Sequence, residues 1–261
     1  MSEISLSSAI IFSAGPIPIT NAMLATFLIT IGLCIFAVFI KYSAAIVPGR
    51  IQVLLETLME FMMRQLEEAF GTRERAEKFF PLLVTVLIFI IIANQLTLVP
   101  FIGQIVAGEK NLFRLPTSDL SLPLTLALIV VGLANILALS ISPLKHIGNF
   151  IRIAPFFHIK SFGDFGAALL GFFLGILDTI SEVAKIASLS GRLFGNMFAG
   201  EVMVIVIVGL SAFTQFIAPI PFIILSMFSG LVQAFVFTLL SIQFIAGTIN
   251  SVAEKPSTAS P

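Results

Sequence analysis

The sequence predicts an all-α membrane protein of about five to six transmembrane or tilted helices plus one amphipathic surface helix. Three observations carry that reading. The 261 residues are 58% hydrophobic and 11% charged, with a mean hydropathy of +1.10, whereas soluble domains carry about 25% charged residues. Five apolar runs reach the ~20 residues that cross a bilayer as a helix. Lys and Arg alternate between the connecting segments, the pattern expected of a multi-pass chain.

The first run, Ala22–Ile40, follows a segment without Lys or Arg, so the basic flank of a cleavable signal peptide is missing. Pro48-Gly49 marks a turn. After it, Arg50–Phe70 sets Ile51, Leu54, Leu55, Leu58, Phe61, Met62 and Leu66 at helical spacing, with Glu56, Glu60, Arg64, Glu67 and Glu68 on another face. Such a helix lies along the membrane surface or against the bundle. Glu60 and Arg64 form an i,i+4 pair, worth only a few tenths of a kcal/mol.

The second run is Phe80–Val99, with Asn94 near its end. Pro116 and the triplet Thr117-Ser118-Asp119 open the third run, Leu120–Ile141, where Thr117 or Asp119 caps orphan N–H groups. The other reading of Asp119 is an acid lining a water access on the outer side. The fourth run, Phe165–Leu210, is about twice the needed length, so it is two spans or one long, strongly tilted helix. The fifth is Pro219–Ile249. The expected organisation is one integral membrane domain, 1–261, with 1–21 an outer segment, 22–249 the helical bundle and 250–261 a tail. Lys255–Pro261 is Pro/Ser/Thr/Ala and is expected to be disordered.

The segment Lys41–Lys78 holds six basic residues and Pro143–Phe162 holds three, against two in Phe101–Asp119 and none in residues 1–21 or 211–218. Nine against two places the first pair in the cytoplasm or matrix, with the N-terminus outside and, after five crossings, the C-terminus inside. A net charge of zero without a basic face argues against nucleic acid. The single cysteine, Cys34, lies mid-run, so no disulfide framework or metal cluster is expected, and no cofactor is implied. His146 and His158 fall in one loop and read as solvated rather than as a ligand pair.

Within the fourth run, Asp178 to Glu201 contains Asp178, Glu182, Lys185, Arg192, Asn196 and Glu201. An ionisable group at membrane depth costs about 2.5–3.5 kcal/mol on insertion scales and marks a functional site by default. The steps from Asp178 to Asn196 are 4, 3, 7 and 4 residues, which keeps five of these residues on one stripe. Lys185 has Glu182 at i−3 and can be neutralised there. Arg192 has Ser188, Leu189, Gly195 and Asn196 at i±3 and i±4, none acidic, and a guanidinium does not escape by deprotonation. It must face water, a distant acid of this chain or an acid on another polypeptide; the bland reading is a buried staple to backbone carbonyls. The small residues around it permit close helix approach. Glu201, nine residues on, falls on the opposite face roughly 13 Å along the helix, which suggests two polar environments divided by it. Ser226 and Gln233 share a face of the fifth run, where Gln233 either staples two helices or lines a polar path.

SLSGRLFGNMFAGE resembles the signature of subunit a of F-type ATP synthases, the stator subunit beside the rotating ring of subunit c. Weaker similarities follow in the expected order: ITNAMLATFLITIGL, VPGRIQVLLETLMEF, KFFPLLVTVLIFIIIANQLTLVP, PTSDLSLPLTLAL and LVQAFVFTLLSIQFI. The resemblance implies a proton-translocating, non-catalytic subunit whose long tilted two-helix hairpin packs against the ring. It further implies partners in the subunit c ring, the subunit b peripheral stalk and the remaining synthase subunits, in a bacterial inner or a mitochondrial inner membrane. Arg192 matches the arginine facing the ring carboxylate, and Asn196 and Gln233 match polar residues beside it. Glu201 matches the acid of the outer half-channel, Lys185 and Asp178 match positions near the inner one, and Asp119 matches an outer-side acid. Glu182 stands beside Lys185 on that inner stretch.

Two departures stand out. By this alignment Ser226 occupies a position where many members have a histidine or acid, so an outside relay would rest on Glu201, Ser226, Gln233 and water. The family's TxDxN pattern reads Thr117, Asp119, Ser121. A secondary transporter is the rival class, but it needs its own substrate site and usually internal repeats, and no convincing repeat relates the two halves. A membrane-embedded hydrolase needs a nucleophile and base or a metal set inside the spans, and neither histidine lies there.

Overall fold

The computed structural model describes residues 10–14, 17–43, 45–96, 106–107, 110–111, 116–143, 146, 148, 162–210 and 218–253. Six helices dominate them: α1 (Asn21–Ser43), α2 (Arg50–Phe70), α3 (Arg73–Gln95), α4 (Ser121–Ile141), α5 (Phe162–Leu210) and α6 (Pro219–Ala253). All but α2 are long and apolar enough to cross a membrane. Two short antiparallel ribbons add to the helical plan: β1 (Ile10–Ala14) with β2 (Ile17–Thr20), paired from Ile10↔Thr20 to Ala14↔Ile17, and β3 (Val106–Ala107) with β4 (Lys110–Asn111).

The chain forms two compact units, Met1–Pro123 with Gly191–Leu239 and Leu124–Ser190 with Leu240–Pro261. In the first unit α2 and α3 form a hairpin. Gly71 ends α2 at φ 72°, and its N–H donates to Glu67 O at 2.9 Å; a left-handed residue there is cheap only for glycine. Met62, Leu66 and Phe70 bury one face of α2, and Phe70 stacks on Phe79 with ring centroids 4.7 Å apart. Ile51, Val53, Leu54, Met59 and Phe61 stay exposed, as a helix lying along a lipid interface requires. Ahead of α2, Gln52 closes the Pro48-Gly49 turn: its Nε2 donates to Ala45 O at 3.1 Å and its Oε1 accepts from Ala45 N at 3.2 Å.

The helix α3 begins at Arg73, seven residues before the apolar run. The i,i+4 pairs Arg73–Glu77 and Glu74–Lys78, at 3.0 and 3.5 Å, extend it beyond the bilayer segment. Its buried stripe, Leu83, Leu87, Ile90 and Asn94, repeats at helical spacing. Only the first turns of α1, through Ile29, are buried; Phe27, Ile31, Ile35 and Phe39 face outward, an apolar surface suited to lipid.

The fourth run is a single helix of 49 residues. The fifth extends through Ala253, four residues past the expected end of the bundle at 249; the tail beyond it, Lys255–Pro261, lies outside the described residues. In the second unit, Ala127, Val130, Val131, Ala134 and Ala138 form the buried stripe of α4, and Ile242, Ile245, Ala246 and Ile249 that of α6. The small side chains on α4 allow close packing without a polar seam. Hydroxyls along the spans satisfy themselves on carbonyls one turn back, as Thr26 does on Ala22, Thr85 on Pro81 and Thr238 on Ala234, which makes them tolerable in an apolar medium.

Candidate functional site

The first unit carries one polar cluster where α5 meets α6. Leu193 and Met197 are buried on α5, and Gly230, Gln233, Ala234 and Phe237 on α6; the four-residue spacings define the packed seams. At the edge of the α5 seam, Asn196 Nδ2 donates to Ser229 O at 3.3 Å and Ser229 Oγ donates to Asn196 Oδ1 at 2.7 Å. From α3, Asn94 Nδ2 donates to Gly230 O at 2.8 Å and Gln95 Nε2 to Met227 O at 3.2 Å. The missing side chain of Gly230 permits this approach: a Cβ there would sit 3.1 Å from Asn94 Cβ and 3.5 Å from Met197 Sδ.

Arg192 stands outside the seam. It is exposed, on a stripe with Ala199, Met203 and Val206, of which Ala199, Met203 and Val206 are exposed too, and it makes no ion pair or hydrogen bond among the described residues. The bland reading of a backbone staple finds no bond in this part of the molecule. Glu201 lies on the other side of the same seam, with Oε2 buried and without a hydrogen-bond partner among the described residues. Its neighbour Gly200 abuts Ser226, whose Oγ lies 2.5 Å from where a Gly200 Cβ would stand, so Ser226 does face the Glu201 turn. Gln233 is 8% exposed, and its Nε2 likewise has no hydrogen-bond partner there; the staple reading lacks its bond on that nitrogen. Both orphaned atoms are exceptions to the rule that buried polar groups are satisfied. Asp119 Oδ1 accepts from Ser121 N at 2.8 Å and from Ser121 Oγ at 2.7 Å. It thus fixes the start of α4, with Ser121, the departure from the TxDxN pattern, supplying both donors.

The second unit carries another polar cluster. Lys185 Nζ meets Glu182 Oε1 at 2.5 Å, the i−3 pair expected from the spacing, and lies 5.6 Å from the centre of the Phe244 ring on α6, within cation–π range. Glu182 Oε2 accepts from Asn135 Nδ2 at 3.1 Å, and the same nitrogen donates to Val131 O at 2.9 Å. Asn135 Oδ1 lies 3.0 Å from His146 Nε2. Asp178 is half-buried one turn before Glu182.

His146 corrects the expectation of a solvated histidine. It is 5% exposed: its N–H donates to Ser142 O at 3.1 Å and its ring lies against Asn135. His158 lies outside the described residues. Asn135 was missed in the sequence, although the argument that singled out Arg192 applies to it: it is a lone amide in the middle of an apolar span.

A family model described as ATP synthase A chain matches residues 22–246. ATP synthase subunit a 2 of Bradyrhizobium sp. is 30% identical over 258 residues, covering 95% of this chain and 97% of that one. ATP synthase subunit a of Moorella thermoacetica is 34% identical over 241 residues, with 92% and 95% covered. ATP synthase subunit a 1 of Hahella chejuensis is 28% identical over 257 residues, with 98% and 95% covered.

Proposed function

Because the chain belongs to the ATP synthase A chain family, we propose that Arg192 faces the ion-carrying carboxylate of a rotating subunit c ring and divides two polar paths that lead to it. The chain is the proton-translocating stator subunit of the membrane sector and a non-catalytic, multi-pass part of the ATP synthase complex. The observation that carries the finer reading is Arg192 itself. A permanent cation, exposed beside Ala199, Met203 and Val206 and unpaired among the described residues, needs an anion from elsewhere.

A proton reaches the ring from the outside by a path through Glu201, Ser226 and Gln233, with Asp119 at the outer end of the third span. The orphaned Glu201 Oε2 and Gln233 Nε2 support it, since a hydrated path supplies the mobile partners such atoms lack. The protonated ring carboxylate is neutral and can turn into lipid. It later meets the inner path, lined by Lys185, Glu182 and Asp178, and releases its proton. The Arg192 charge favours the ionised carboxylate between the two paths and repels protons seeking a direct leak, while Asn196, tied to Ser229, fixes the turn beside it. The basic segments face the cytoplasm of a bacterial plasma membrane, the N-terminus lies outside, the chain forms one membrane domain, and the subunit b stalk holds it against rotation.

Cysteine crosslinking of the intact complex, in a Cys34→Ser background, tests the orientation. Ala199→Cys and Met203→Cys should crosslink to a small ring subunit, whereas Leu193→Cys, in the packed seam, should not. Crosslinks from position 193 and none from 199 or 203 would overturn the assignment.

A further inference from the structure

We propose that Phe244 is a positioning residue of the inner path, its ring holding the Lys185 ammonium against Glu182. This rests on reading Lys185 and Glu182 as part of that path. Three helices of the second unit meet at this point. On α5, Lys185 Nζ donates to Glu182 Oε1. From α4, Asn135 Nδ2 donates to Glu182 Oε2 at 3.1 Å. From α6 comes a ring: Phe244 lies under Lys185 Nζ, with the nitrogen 5.6 Å from its centre.

The i−3 pair alone is a weak hold on the ammonium. A lysine stem is long and its donors rotate freely, and within a span such a side chain tends to run toward the interface. One donor is spent on Glu182, and no second acceptor for Nζ stands among the described residues. The ring supplies further attraction, because its negative face draws a cation. A second carboxylate would attract it too, but would also take up protons. A phenyl ring has none to exchange and leaves both Glu182 oxygens to Lys185 and Asn135. Its place is fixed by the helix that carries it, since Ser241, Ile245 and Ala246 around Phe244 are buried. The Lys185 and Glu182 side chains are 24% and 20% exposed. The contact is thus largely withdrawn from water, the condition that strengthens cation–π attraction.

A proton on the inner path passes a positive charge, and the work this takes depends on where that charge stands. With the ring in place, the charge stays at Glu182 Oε1. Without it, the ammonium sweeps the wider arc that its stem allows and repels protons over more of the path. Weaker attraction from position 244 therefore means slower transfer.

The test is ATP-driven pumping by the intact complex in inverted vesicles, with phenylalanines carrying one, two and three ring fluorines placed at position 244. Fluorine draws charge from the ring face and nearly preserves its size. Each step therefore weakens the hold on Lys185 while the packing of α6 stays as it is. The pumping rate should fall at each step, to about three- to tenfold below the parent with three fluorines, the size of one such contact. In a Lys185→Gln background, where no cation stands over the ring, the same series should be flat. A flat or rising series with Lys185 intact, or an equal fall in Lys185→Gln, overturns the proposal. Lys185→Gln also separates the two failures. If by itself it pumps at the parent rate, the inner-path reading of Lys185 fails; if it is slow while the series with Lys185 intact is flat, only the role of Phe244 falls.

Discussion

Asn196 and Ser229 exchange two hydrogen bonds, Ser229 Oγ to Asn196 Oδ1 at 2.7 Å and Asn196 Nδ2 to Ser229 O at 3.3 Å. The pair closes the edge of the α5–α6 seam one turn beyond Arg192, with two donors and two acceptors matched in a setting where lipid offers none.

Replacing Asn196 by Ala leaves the Ser229 hydroxyl to its own helix and removes the tie between the helices. Measured membrane hydrogen bonds of this type average about 0.6 kcal/mol and reach about 1.7, so a stability loss in that range is expected for the purified complex. Asn196→Ser should retain part of it. Thermal inactivation of ATP-driven pumping checks both; equal stability of Asn196→Ala and parent would dismiss the tie as a stabilising element.

Two glycines on the same seam should respond differently to a methyl group. At Gly230 the nearest atom is Asn94 Cβ, 3.1 Å from the added carbon, which moves only with its backbone. At Gly200 it is the Ser226 hydroxyl, at 2.5 Å, which can rotate away. Gly230→Ala is therefore expected to cost about 1–3 kcal/mol and to lower assembly. Gly200→Ala should cost under about 1 kcal/mol, and Ser226→Ala should relieve what it does cost. Quantifying assembled complex for the three variants would expose the opposite order.

Gly71 gives a third expectation, outside the bilayer. At φ 72° a Cβ is unfavourable by roughly 1–2 kcal/mol, so Gly71→Ala should loosen the α2–α3 turn. Faster amide exchange confined to that turn is the expected signature; unchanged exchange would contradict it.

The sequence made much of this legible because lipid leaves few options. The limits of α2 follow from its amphipathic period, and the Glu182–Lys185 and Glu60–Arg64 pairs from helical spacing. What spacing could not decide was whether Phe165–Leu210 breaks; it contains no proline, and it continues as one helix. Hydropathy also stopped short of α3, since Arg73–Lys78 is charged yet helical through its own ion pairs. The inner cluster was the least legible. Asn135 and Glu182 are 47 residues apart, and only the fold could bring an amide in one apolar run to a carboxylate in another. His146 read as solvated because it falls in the loop between two apolar runs, whereas its ring meets Asn135 of α4.

Glu201 and Arg192, on opposite sides of the α5 seam, should fail in different ways. Glu201→Gln keeps the shape but removes the exchangeable carboxyl proton, so proton supply from outside should fall by about 10²-fold to 10⁴-fold, the usual range for removing a proton-transfer group, with assembly retained. A flux assay on the intact complex measures this, and parent-like flux would remove Glu201 from the outer path.

The most direct measurement is ATP synthesis by vesicles carrying Arg192→Ala under an imposed proton gradient, with complex assembly checked in the same preparation. An Arg192 that pairs with the ring carboxylate and keeps the two paths apart predicts assembled complex, no synthesis, and dissipation of the gradient. Synthesis at the parent rate by the assembled variant would contradict it.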